Sequence, residues 1–241
     1  MKISSFFRTL IFLGSLVFAA GLASCSVKAD LFVHENGSGL VSTHLSWQEP
    51  LNLYWNDLRE LDTTLGPKIL DQKNLQGSLD QKASGPGAFL ASPHAEVGDH
   101  HALISFEISD PAQIAQHGGV ALFSLKKASS GSELSLSLDR PTLMRWLDLT
   151  TYGHSSAITA LFPENETEAD LRANLIYALG SYTQDALALV NASNVEIALH
   201  LPRPVQKVEG GKIVSPELVV CSWPLVKVLA LEKPIQVVVD Y

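Results

Sequence analysis

Five titratable side chains crowd one short stretch of the chain: His94, Glu96, Asp99, His100 and His101. Neutral imidazole nitrogens and carboxylate oxygens suit zinc and other transition metals, so the group is a candidate metal site. Its spacing argues for the plainer reading of a hydrated polar loop. No two of these histidines sit i, i+4 on a convincing helical pattern, and the adjacent His100 and His101 would point to opposite faces of a strand. Nucleophilic chemistry has less support. The sequence holds no Gly-x-Ser-x-Gly elbow, and Gly153-His154-Ser155 cannot be read as a triad from spacing alone. Gly37-Ser38-Gly39 and Gly210-Gly211 are too short to cradle a phosphate and lack a following Lys-Ser or Lys-Thr. Glu164, Glu166 and Glu168 fall where acidic residues favour a helix start rather than paired acid catalysis. The expectation is a protein without catalytic residues, metal or cofactor. The alternative is a metal-dependent or hydrolytic enzyme built on His94 to His101.

The thiol of Cys25 carries a sharper signal. Lys2 and Arg8 open the chain with positive charge, an apolar run of about 13 residues follows from Leu10 to Leu22, and no acidic residue appears before Asp30. A run of that length falls short of the roughly 20 residues a membrane-crossing helix needs, which favours a removable export signal. Leu22-Ala23-Ser24-Cys25 resembles a bacterial lipobox. Leu22 would fill an apolar peptidase pocket, Ala23 and Ser24 would let the backbone lie close, and the Cys25 thiol would take the diacylglycerol. Several acyl chains, palmitate among them, hold a protein stably where a single chain does so only marginally. The reading gives a signal peptide over 1–24 and one envelope domain over 25–241, anchored to a membrane through Cys25.

Charge limits the partners. The chain carries a formal net charge of -8, and losing Lys2 and Arg8 with the signal makes it about -10. Such a chain lacks the phosphate-neutralising surface that nucleic acid requires, so no nucleic-acid role is expected. Anionic headgroups would repel it as well, leaving acyl chains as the means of attachment. With Cys25 acylated, Cys221 is left alone. It lies in the apolar run Leu218 to Trp223, where a buried strand cysteine is expected in place of a reactive thiol.

The elements that would carry these residues follow from periodicity. Ala29 to His34 and Leu40 to Trp47 read as strands flanking Asn36-Gly37, a strong hairpin signal because both residues accept positive φ. The fold therefore starts almost at the anchor. Pro50 opens a helix with Leu51, Tyr54, Trp55, Leu58 and Leu61 on one face, ended by Gly66-Pro67. From Asp71 to Gly98 the composition predicts a long connection with at most one short strand near Ala88 to Ala91. Strands are predicted over 101–108, 120–126 and 133–138, with a short helix over 110–116. A further helix from Pro141 carries Met144 and Trp146, and a mostly helical stretch spans 164–190. The tail returns to strand over 194–201, turns at Glu209-Gly210-Gly211, and continues through strands at 218–223 and 235–241, with an apolar stretch at 225–231 between them. Strands at both ends with helices between predict an α+β domain with a mixed or antiparallel sheet.

The Asn36-Gly37-Ser38-Gly39 hairpin after the anchor cysteine, the Leu199-His200-Leu201-Pro202 strand, Glu209-Gly210-Gly211 and Trp223-Pro224-Leu225 together resemble LppM-type bacterial lipoproteins. They are closer still to spirochaetal lipoproteins of unknown function with this layout. The resemblance covers the two ends of the mature chain and rests on turns and strand punctuation. It implies an α+β envelope domain and supplies no catalytic residues, while some members are suspected of binding apolar or lipid ligands. The expected role is thus a non-catalytic lipoprotein that binds an envelope protein or an apolar or lipid ligand. Tyr54, Trp55, Met144 and Trp146 are the candidate apolar pocket. A surface antigen or spacer without a ligand stands as a third class. Ser26 is not the Asp that marks inner-membrane retention in some bacteria, which tilts the expectation to the outer membrane, with the domain in the periplasm or on the cell surface.

Overall fold

The computed structural model describes residues 26–84, 90–108, 123–128, 131–143 and 166–241. The signal segment, the helix predicted over 110–116 and most of the helix predicted from Pro141 lie outside the described residues.

Alternation sets the first sheet. β1 (Ser26–Val33) and β2 (Gly39–Ser46) form the predicted hairpin, with Gly37 in the turn at φ 91°. Register places Val27 opposite Leu45, Leu31 opposite Val41 and Val33 opposite Gly39 on the core face, while Phe32 and Leu40 pair on the other face, where Phe32 stacks on His200. β3 (Leu90–Val97), β4 (His101–Ile108), β7 (Asn194–His200), β9 (Lys212–Ser215) and β10 (Leu218–Pro224) complete, among the described residues, a seven-stranded sheet in the order β3-β4-β2-β1-β7-β10-β9. Of its neighbouring pairs only β1 and β7 run parallel, making the sheet mixed. Its buried face carries Val27, Val41, Leu45, Ile104, Phe106, Val195, Leu199, Val219 and Cys221. The opposite face carries Lys28, Asp30, His44, Glu107, Glu196 and His200, all exposed or half-buried.

A second, antiparallel sheet has the order β5-β6-β11-β8, from β5 (Phe123–Ala128), β6 (Gly131–Leu138), β8 (Lys207–Glu209) and β11 (Ile235–Asp240). Leu134 and Leu136 face Val239 and Val237 across its centre, and all four are buried. The hairpin β8–β9 passes from one sheet to the other at Gly210-Gly211.

Helices close the core. α1 (Glu49–Leu61) begins with Pro50 in its first turn and buries Leu51, Trp55 and Leu58. α3 (Glu168–Gly180) is capped by Thr167, whose hydroxyl accepts from the Asp170 amide at 3.1 Å, and buries Leu171, Leu175 and Leu179 at four-residue spacing. α4 (Ala186–Ala192) follows a break at 181–185, so the predicted stretch is two helices. α5 (Leu225–Ala230), the predicted apolar stretch, buries five of its residues and ends at Leu231 in the left-handed region.

The segment from Asp71 to Gly98 departs from its predicted form as a connection. It holds α2 (Gln72–Ala83) and the eight-residue β3. Asp71 caps α2 by accepting from the Asn74 amide at 2.8 Å. Among the described side chains of α2 only Leu75 and Leu79 are buried, and hydrogen bonds from its glutamines to β3 do the docking that an apolar stripe does elsewhere. The α+β class and the mixed sheet agree with the expectation.

Candidate functional site

The end of β2 nearest Ser26 leads within three residues into α1, and this junction builds a cleft. Trp47 follows Ser46, whose hydroxyl lies 2.6 Å from that of Ser26. The Trp47 amide donates to the His100 carbonyl at 2.9 Å, which ties the junction to the β3–β4 turn. Between them opens a cleft of about 280 Å³, lined by Trp47, Asn52 and Trp55 from one side, Pro67 to Leu70 from another, and Gly98 to His100 from the turn.

Its floor is aromatic and its rim polar. Trp47 and Trp55 are buried, and each indole N–H is satisfied: Trp47 Nε1 donates to Asn52 Oδ1 at 2.9 Å, Trp55 Nε1 to the Gly66 carbonyl at 3.1 Å. Asn52 Nδ2 donates to Glu49 Oε2 at 3.2 Å and to the Asp99 carbonyl at 3.3 Å, so one amide links helix, strand end and turn. On the rim, Lys68 Nζ lies 3.2 Å from Asp99 Oδ1, and His100 Nε2 lies 3.6 Å from Glu49 Oε2. These groups are exposed, so the pairs contribute little stability. A Cβ at Gly98 would meet the His101 ring, an exposed side chain that would have to turn aside. The lining joins the two buried indoles to a rim of polar side chains, Glu49, Asn52, Lys68, Asp99 and His100, in which hydrogen-bonding groups predominate.

Among the sequence candidates, Trp55, Asp99 and His100 line this cleft. Tyr54, on the same helix as Trp55, turns away and meets Tyr182 edge-on at 6.0 Å between ring centroids. Burial raises the Tyr54 phenol, and the Tyr182 phenol, bonded to Asp57, is raised to about 12. Met144 and Trp146 lie outside the described residues, as do Leu22, Ala23, Ser24 and Cys25. His94 and Glu96 stand exposed on β3, Asp99 and His100 form the turn, and His101 opens β4. The segment is thus strand, turn and strand where the sequence predicts a polar loop. Among the described residues no three His, Cys, Asp or Glu side chains converge to hold a metal ion. Cys221 is buried, and desolvation raises its thiol to about 11. Sequence reading passes over Trp47, Glu49, Asn52 and Lys68; the one local signal is Glu49 and Asn52 at i, i+3 in the first turns of a helix.

By its elements and its cleft, the molecule is an α+β protein in which a mixed seven-stranded sheet and a small antiparallel sheet share a core. No protein-family model and no curated protein matches the chain. Among solved structures it is distantly similar to the NMR structure of the folded domain of the Mycobacterium tuberculosis LppM protein, with 13% identity and a TM-score of 0.38 over 91% of each chain. No function is transferred on a likeness of that degree. Among the described residues no helix is long and apolar enough to cross a membrane, which leaves membrane crossing by strands unaddressed.

Proposed function

We propose that this chain is a non-catalytic lipoprotein of a bacterial cell envelope, held at a membrane by lipid on Cys25, whose domain binds a compact amphipathic ligand in the Trp47–Trp55 cleft. The observation that carries the anchor is the join between motif and fold: the Leu22 to Cys25 motif ends one residue before β1, the central strand of the larger sheet. An acylated Cys25 would hold the domain at the bilayer with no tether. Ser26 favours the outer membrane, with the domain in the periplasm or on the cell surface.

The ligand reading is supported by the pairing of an indole floor with a polar rim. A cleft of about 280 Å³ sits just under the roughly 300–1,000 Å³ usual for ligand sites, which favours a headgroup-sized or short apolar molecule over a whole diacyl lipid. A protein partner is the second reading, favoured by the exposed Leu53 and Leu61 on α1 and Tyr177 on α3. Mass spectrometry of protein purified from membranes tests both halves. The expected spectrum carries an acylated N-terminal cysteine and, under native conditions, a copurified small molecule that a Trp55→Ala variant loses. An unacylated Cys25 overturns the anchor; an acylated protein with no copurified ligand turns the weight to the protein partner.

A further inference from the structure

The register of the larger sheet specifies which side of the domain would meet the bilayer. Ser26 is the first residue of β1, and its row runs through Ser46 on β2 and His101 on β4 in one direction, and Asn194 on β7 and Pro224 on β10 in the other. All five lie at one end of their strands. The opposite end carries Val33, Gly39 and Ile108 with the Asn36-Gly37 turn. Cys25 is covalently joined to Ser26, about 3.8 Å away between Cα atoms. We infer that the end of the sheet bearing Ser26, Ser46, His101, Asn194 and Pro224 rests on the membrane, with the Trp47–Trp55 cleft opening toward the lipid headgroups; this rests on the proposed acylation of Cys25.

The chain carries -8 overall, and an unmatched acidic surface is repelled by anionic headgroups. At the Ser26 end Lys68 bonds Asp99, His100 pairs with Glu49 when its ring is protonated, and Glu96 stands exposed. Glu107 stands exposed at the far end, where Glu35 is bonded to Arg203. The cleft shares its turn and its Trp47 with the row that holds Ser26, so any route that seats Cys25 in lipid brings the rim of the cleft to the interface.

The cysteine inventory makes the inference measurable. Lipid would occupy Cys25, and Cys221 is buried with a raised thiol pKa, so an added surface cysteine labels alone. Single variants Asp99→Cys and Lys68→Cys sit at the proposed membrane side, and Glu107→Cys sits roughly 20 Å further along β4. Each full-length acylated protein is labelled with an environment-sensitive fluorophore and reconstituted in phosphatidylethanolamine–phosphatidylglycerol vesicles, with or without a headgroup-attached quencher. Loss of fluorescence at positions 99 and 68, with retention at 107, is the expected result. Equal loss at all three, or loss at 107 alone, in protein whose acylation is verified by mass overturns the orientation and leaves the lipoprotein reading standing. Protein that carries no acyl group removes both.

Discussion

Two glycines set the sign of the same substitution at opposite ends of the scale. Gly210 stands at φ +79°, and a Cβ there would overlap the Gln236 carbonyl oxygen, a backbone atom with no freedom to swing aside. Gly210→Ala is expected to lower stability by about 3 kcal/mol, combining left-handed strain with the clash. Gly77 is exposed within α2, and a methyl group added to it would have nothing within 4 Å, so Gly77→Ala is expected to raise stability by roughly 0.5–1 kcal/mol. Urea unfolding reads both as opposite shifts in midpoint at constant slope; a wild-type midpoint for Gly210→Ala contradicts the strain argument. Cys221 adds a pH dependence. Its thiol ionises near 9.0 when exposed and near 11 in the fold. Between those values the unfolded chain binds fewer protons than the folded one, so this residue's contribution to stability is complete below pH 9 and declines as pH rises toward 11. Cys221→Ala should flatten that part of the midpoint-against-pH curve, and an unchanged curve counts against the burial argument.

Helix α2 and strand β3 show how an element can be held by side-chain amides. β3 is the edge of the larger sheet, and its outer backbone groups would otherwise be open to pairing with another chain. Gln72 accepts from the Val97 amide at 2.6 Å and donates to the Ala95 carbonyl at 2.5 Å. One turn later, Gln76 accepts from the Ala95 amide at 2.7 Å and donates to the Pro93 carbonyl at 3.1 Å. Two glutamines thus stand in for a neighbouring strand. Gln76→Ala is expected to cost about 2 kcal/mol, two bonds at about 1 kcal/mol each, and to speed hydrogen exchange at Ala95. Unaltered exchange at that amide rules the clamp out. The same arrangement explains why this region is illegible in sequence. α2 offers Leu75, Leu79 and the small Ala83 to an apolar pattern and contains Gly77, while β3 contains Pro93 and an irregularity at Ser92, which has φ +51°. Strands with clean alternation, such as β2 and β7, are legible because one face is buried more than the other. Of the cleft lining the sequence singles out Trp55, Asp99 and His100 but not their meeting: Trp47, Lys68 and His100 belong to three segments, and the alignment of Ser46 with His101 that brings two of them together is a property of the sheet.

At the scale of the whole molecule, folding and the proposed attachment would depend on different residues. One hydrophobic cluster joins the buried residues of both sheets and the helices, and the β8–β9 hairpin belongs to both sheets at once. Among the described residues that cluster begins at Val27, after Cys25. The net charge of -8 supplies no electrostatic attraction to anionic lipid, since a polybasic patch is what such attraction uses. Membrane retention would come from acyl chains alone, each buried methylene contributing about 0.8 kcal/mol. Cys25→Ser is accordingly expected to move the protein from the membrane fraction to the soluble one with an unchanged urea midpoint, and high salt is expected to leave the native protein on the membrane while detergent releases it. Fractionation followed by immunoblotting measures the partitioning, and urea unfolding of the released variant measures the midpoint. Release by salt would mean that a charged surface holds the protein, and retention of a Cys25→Ser protein whose mass shows the segment before Ser26 to be removed would mean that the domain itself grips the membrane or a partner in it.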